Sequence, residues 1–135
     1  MPAIEENRQK LRYLLEEVVP SGDSDSLAKY VHNDVVIPTN MPGGKQGLAG
    51  YIEGLARSKI GIEYTHSVID TVAEGDRVVA RILVKGRQTG EVMGIPNRGK
   101  EFTFEQMVIA QFREGRICQF WRVADLYSLV QQLGG

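Results

Sequence analysis

The sequence predicts an α+β domain in which helices gather on one face of a curved antiparallel sheet. Two observations carry this reading. Apolar residues recur at helical spacing in the N-terminal part, with one short strand between helices, whereas from Ile62 onward β-branched runs dominate. Those runs are joined by short turns, as antiparallel neighbours are. A chain of 135 residues fits one domain, taken as 1–135.

Residues 3–18 place Ile4, Leu11, Leu14, Leu15 and Val18 near one helical stripe, and Pro20 with Gly22 stops that helix. Ser24-Asp25-Ser26 is a capping cluster for a short second helix through Leu27-Ala28-Lys29-Tyr30-Val31. Val35-Val36-Ile37 reads as a strand ended by Pro38, and Met41-Pro42-Gly43-Gly44 as a loop. Residues 46–58 carry Leu48, Tyr51, Ile52 and Leu55 at helical spacing. Ile62 to Ala73 is then a strand, Glu74-Gly75-Asp76 a turn and Arg77 to Lys85 its return. A glycine-rich loop covers Gly86 to Gly99. Glu101 to Arg113 and Arg116 to Ala124 form a hairpin around Glu114-Gly115, and residues 126–133 a final short helix. Bent strands closed over by helices enclose an interior where small apolar ligands bind.

Bulk properties narrow the function. Apolar residues make up 42% and charged residues 24%, as in soluble globular proteins. The formal charge of −1 comes with scattered basic residues, which argues against nucleic acid and against a membrane-binding patch. No apolar run approaches membrane-spanning length and the N-terminus has no signal core, so a cytoplasmic protein is expected. Cys118 stands alone and reads as a structural thiol in a strand. His32 and His66 lie too far apart for a metal motif, and neither metal nor cofactor is expected. His32 reads as a cation at the end of the second helix.

Four segments resemble one family. They are Ala73-Glu74-Gly75-Asp76-Arg77-Val78-Val79-Ala80-Arg81, then Thr89-Gly90-Glu91-Val92-Met93-Gly94-Ile95-Pro96 with Gly99-Lys100. Phe112-Arg113-Glu114-Gly115-Arg116-Ile117 with Trp121 follows, and last Leu129-Val130-Gln131-Gln132-Leu133-Gly134. In this order they are similar to the SnoaL-like polyketide cyclases. The resemblance implies a nuclear transport factor 2-like cone, with N-terminal helices closing a cavity behind the curved sheet. That fold also hosts ketosteroid isomerases and purely structural domains, so fold alone does not give the function. A homodimer is implied too. The strand from Arg77 to Lys85 is apolar on both sides, and the side away from the helices needs cover.

The family's cyclases close a ring by an aldol step that needs a base and an acid. One carboxylate in an apolar cavity can serve as both. The resemblance places an aspartate after the tryptophan, but Arg122 stands there. It implies a glutamine and a histidine on the preceding strand, where Gln106 fits and Val108 replaces the histidine. A family histidine in the loop is likewise absent from Gly86-Arg87-Gln88-Thr89-Gly90.

Three polar groups are therefore the catalytic candidates. Asp125 either reaches the cavity or caps the final helix. Arg122 either pairs across the sheet with Glu105 or Glu63, or anchors an acidic or enolic ligand. His66 either faces the cavity as acid or base, or lies at a surface or interface. Gln106, Val108, Phe120 and Trp121 are the candidate lining. The expected partner is a small, largely apolar, oxygenated molecule. Two functions remain open, namely proton-transfer chemistry on a carbonyl compound, and ligand binding or interaction without catalysis.

Overall fold

The computed structural model describes residues 2–38 and 44–134. Met41, Pro42 and Gly43 of the loop expected there lie outside the described residues. Helix α1 spans Ala3–Tyr13, with Glu5 and Glu6 in its first turn and Lys10 and Arg12 in its last, the charge order the helix dipole favours. It does not continue regularly. Leu14–Val18 form a π-helical segment in which the Val19 N–H reaches the Leu14 carbonyl. The next carbonyl in that register, Leu15, faces Pro20, which has no N–H to give. A short α2, Val19–Ser21, ends the run, and Gly22 caps it at φ 76°.

The second helix is shorter than the sequence suggests. Asp23 caps α3, Ser24–Leu27, and the chain from Val31 to Val36 is strand β1. Helical spacing through Tyr30 and Val31 loses to pairing across the sheet. The Ile117 N–H donates to the Tyr30 carbonyl at 2.8 Å, and β1 runs parallel to the later strand at Val31↔Ile117. His32 thus sits inside β1 rather than at a helix end. It is buried, with its Nε2 donating to the Arg113 carbonyl at 2.6 Å.

Helix α4, Gly47–Ser58, follows. Strand β2 is Ile62–Glu74 and β3 is Arg77–Gln88, three residues longer than expected. Strand β4 is Glu101–Arg113, β5 is Arg116–Ala124, and α5 is Leu126–Leu133. The β4–β5 turn has Glu114 at φ 52° and Gly115 at φ 77°, the left-handed pair that suits a two-residue hairpin. The five strands are ordered β1-β5-β4-β3-β2. All neighbours are antiparallel except β1 and β5, so the expected run of antiparallel strands gains one parallel edge.

The sheet is curved and does not close on itself. Register breaks between Val68 and Asp70 and between Gln111 and Phe112 add local bending. The inner face carries Val78, Ala80, Ile82 and Val84 of β3 against Phe104, Val108, Ala110 and Phe112 of β4, all buried. Leu11, Leu14, Leu15 and Val18 of the N-terminal helices complete that core. Gln88 at the end of β3 is buried and polar. It donates to the Ile95 and Pro96 carbonyls, each at 3.0 Å, and so ties the glycine-rich loop to the sheet.

Candidate functional site

Strand periodicity alone decides which polar side chains enter the interior. On β2, Tyr64 and His66 alternate with exposed Glu63 and Thr65, and share the inward face with buried Val68. On β4 the inward residues include Phe104, Gln106 and Val108, and on β5 Phe120 is buried while Arg122, on the same face, is exposed. Val108 lies opposite Arg122 in the register, and Gln106 opposite Ala124. Helix α4 faces this region with Tyr51, whose ring meets Phe120 edge-on at 5.5 Å between centroids.

A chain of hydrogen bonds crosses this face. The Arg122 Nε donates to Gln106 Oε1 at 3.0 Å. The Gln106 side-chain nitrogen stands 3.3 Å from His66 Nε2, and His66 Nδ1 stands 2.9 Å from the Leu15 carbonyl oxygen. Donor and acceptor roles follow from what each group can do. A carbonyl only accepts, so Nδ1 carries the hydrogen. An amide nitrogen only donates, so Nε2 offers its lone pair. His66 is thereby fixed as the neutral Nδ1–H tautomer. The Leu15 carbonyl is available for this because the π-helical register points it at Pro20.

The electrostatics agree with that tautomer. Burial, first of all, pushes His66 down from 6.5 to about 4, and the positive charges of Arg122 and Lys59 add to it, against the raising effect of the Leu15 bond. A proton on Nε2 would also meet the N–H of Gln106 head-on. Tyr64 stacks beside His66 at a tilt of 34° and a centroid distance of 4.9 Å. Its hydroxyl lies 3.2 Å from Ser58 Oγ, which itself donates to the Leu55 carbonyl at 2.7 Å, so Tyr64 is the donor of that pair. Burial holds the Tyr64 hydroxyl above its ordinary range, and that of Tyr51 further above.

The structure thus brings His66, Gln106 and Arg122 together, with Val108 and Phe120 on the same inner face. Arg122 does not form the cross-sheet pair considered for it. Glu105 points to the outer face, where it binds Arg81 at 2.7 Å, and the Nε of Arg122 turns instead to an uncharged amide. Trp121 lies on that outer face, opposite Ile109, with the Arg77 guanidinium 5.3 Å from its ring centroid. Asp125 is exposed and is the N-cap of α5, its Oδ1 accepting from the Ser128 N–H at 3.0 Å. Cys118 is half-buried in β5. Tyr51 and Tyr64 were read only as helix and strand residues. Strand alternation from His66 would have put Tyr64 inside, but nothing local marks Tyr51.

A wide, open groove of about 660 Å³ lies beside this cluster. It is lined by Glu63, Lys85, Arg87, Glu101 and Thr103, and it meets the inner group only through Tyr64. Among the described residues, no three His, Cys, Asp or Glu side chains gather as metal ligands, and no helix is long and apolar enough to cross a membrane.

The family model described as SnoaL-like polyketide cyclase matches residues 9–133. Nogalonic acid methyl ester cyclase of Streptomyces nogalater is 24% identical over 117 residues, covering 84% of this chain and 87% of that protein. IdmH of Streptomyces antibioticus superposes with a TM-score of 0.86 at 25% identity, over 96% of this chain and 99% of that one. TsrD of Streptomyces laurentii does so with a TM-score of 0.80 at 27% identity, over 98% and 95%.

Proposed function

The chain belongs to the SnoaL-like polyketide cyclase family, and from that premise we propose that it carries out proton-transfer chemistry on a small, largely apolar carbonyl compound held against the inner sheet face. The observation that carries this reading is the hydrogen-bonded chain from Arg122 through Gln106 to His66. It joins a neutral imidazole with an unprotonated Nε2, through the Gln106 amide, to a guanidinium, a proton acceptor linked to a group that stabilises negative oxygen.

In the proposed step, the Gln106 amide turns aside from His66 Nε2, and the freed lone pair takes a proton from a carbon flanked by two carbonyls. The bonding pair moves onto oxygen, and Arg122 stabilises the resulting enolate. The enolate carbon attacks a second carbonyl of the same molecule, forming the ring bond. The oxygen of that carbonyl then recovers the proton from His66. A base whose conjugate acid titrates near 4 is weak, so the carbon proton must be an acidic one, as in a 1,3-dicarbonyl unit.

The test is deuterium exchange into 2-acetyl-1-tetralone, a bicyclic 1,3-diketone, followed by NMR. The protein is expected to accelerate exchange, and His66→Ala to remove the acceleration. Acceleration that survives His66→Ala would refute the assignment. A second reading, a binding module without catalysis, is favoured by the lack of any Asp or Glu among the inward positions of β2 to β5. Probe binding with no acceleration of exchange would select it.

We further propose a homodimer through the outer sheet face. Val72, Val79, Ile109 and Trp121 lie side by side across four strands, with Met107 and Val123 exposed next to them. Beside them, Arg81 bridges Asp70 and Glu105, so both charge signs are present for self-pairing. Light scattering is expected to give twice the chain mass, and Val123→Glu to give a monomer. A monomeric wild-type chain at micromolar concentration would overturn this.

A further inference from the structure

Two departures from regular backbone face each other beside His66. Helix α1 passes into the π-helical segment Leu14–Val18, and β2 shifts register between Val68 and Asp70. A π-helical turn and a β-bulge each give up regular hydrogen bonding, and both recur next to functional sites. Here the contacts between them compensate. The Leu15 carbonyl oxygen lies 2.9 Å from His66 Nδ1. The next residue, Glu16, accepts from the Val68 N–H through Oε2, also at 2.9 Å.

Strand geometry makes these two contacts a pair. His66 and Val68 are two residues apart on β2, so their side chains share a face about 7 Å apart. Strand β2 is an edge of the sheet, where alternate N–H groups face away from the neighbouring strand. The Glu16 carboxylate gives the Val68 N–H the partner that a further strand would otherwise bring. Glu16 is half-buried, and among the described residues it enters no ion pair. Its carboxylate is therefore committed to the strand rather than to a cation.

We propose that Glu16 is a positioning residue for His66. By holding the Val68 N–H it seats the π-helical turn on β2, keeps the Leu15 carbonyl on Nδ1, and so leaves Nε2 as the unprotonated nitrogen. It acts through Leu15 and touches neither ligand nor reacting atoms. Its service to catalysis rests on the reading in which His66 is the base, whereas its hold on the tautomer does not.

The test reads the His66 ring nitrogen shifts by NMR at neutral pH, together with deuterium exchange into 2-acetyl-1-tetralone. Wild-type protein is expected to show the Nδ1–H tautomer. Glu16→Ala is expected to raise the ratio of Nε2–H to Nδ1–H about tenfold, the size of effect for one hydrogen bond. Glu16→Gln keeps an oxygen that can accept from Val68 and is expected to restore the wild-type ratio. In the exchange assay Glu16→Ala is expected to lower kcat with KM nearly unchanged, and Glu16→Gln to recover it. A Glu16→Ala protein that loses stability in urea but keeps the wild-type tautomer ratio would overturn the proposal, because a merely structural contact behaves that way. So would a Glu16→Gln ratio shifted as far as that of Glu16→Ala. Should Glu16→Ala fail to fold, Glu16→Asp keeps the charge and shortens the reach by one methylene. It is expected to shift the ratio in the same direction, and an unmoved ratio rejects the proposal. If wild-type protein accelerates no exchange, the proton-transfer reading fails, while the tautomer ratios still decide the role of Glu16.

Discussion

The Gln106 amide donates to His66 Nε2 at 3.3 Å while its oxygen accepts from Arg122 at 3.0 Å, so one side chain fixes the protonation of one neighbour and the direction of the other. Protonating His66 forces a choice. Either two N–H groups confront each other, or the amide turns over and presents its NH2 to the guanidinium. Turning would also free the Arg122 Nε–H to bind an oxyanion at the moment the base is charged. Gln106→Glu removes the conflict, because a carboxylate accepts from both sides. The His66 pKa is expected to rise from about 4 to above roughly 6.5, read from its ring resonances by NMR titration. An unchanged midpoint would show that Gln106 does not control the imidazole.

Stability should depend on pH through the same residue. The folded pKa of His66 lies below its unfolded value of 6.5, so the unfolded chain binds the proton more readily. Stability from this group is complete above about 6.5 and is lost progressively as pH falls to about 4. The gap corresponds to about 3 kcal/mol at most. Urea midpoints measured across that window should fall with decreasing pH, and His66→Gln should flatten the fall. A variant with an unaltered slope would place the pH sensitivity elsewhere.

Pro20 is expected to act on His66 from a distance. With no N–H on residue 20, the Leu15 carbonyl stays available for the imidazole. Pro20→Ala supplies a donor that competes for that carbonyl. The expected result is a weakened Nδ1–H bond and a growing share of the Nε2–H tautomer, visible in nitrogen chemical shifts of the ring, with helix content retained. A mixture of tautomers would in turn turn Gln106 away from its present orientation. If the tautomer stays fixed in Pro20→Ala, the π-helical register owes nothing to the proline.

The sheet was legible because its evidence is local. Alternation from Ile62 onward and the Glu114-Gly115 turn place β4, β5 and α5 at the boundaries read from sequence, and the same alternation puts Phe120 and Arg122 on one face. The N-terminal part was less legible, because non-local pairing with Ile117 decides the conformation of Tyr30 and Val31. The candidate site divides the same way. His66, Gln106 and Arg122 could be named, but not the Leu15 carbonyl that orients His66. That contact joins residues 51 positions apart and depends on a helix register that propensity does not encode.

Asp125 offers the sharpest separation of structural from chemical roles. Its carboxylate accepts from the Ser128 N–H, and its own N–H still bonds the Glu105 carbonyl at 3.0 Å, so the residue joins the end of the sheet to the start of α5. Removing the side chain with Asp125→Ala is expected to cost about 1 kcal/mol of stability in urea unfolding. Asp125→Asn is the informative partner, because asparagine caps as well as aspartate but cannot take up a proton. Under the reading in which His66 is the base, Asp125→Asn should keep both wild-type stability and wild-type deuterium exchange into 2-acetyl-1-tetralone. A stable Asp125→Asn protein that had lost exchange would move the proton acceptor from the middle of β2 to the first turn of α5.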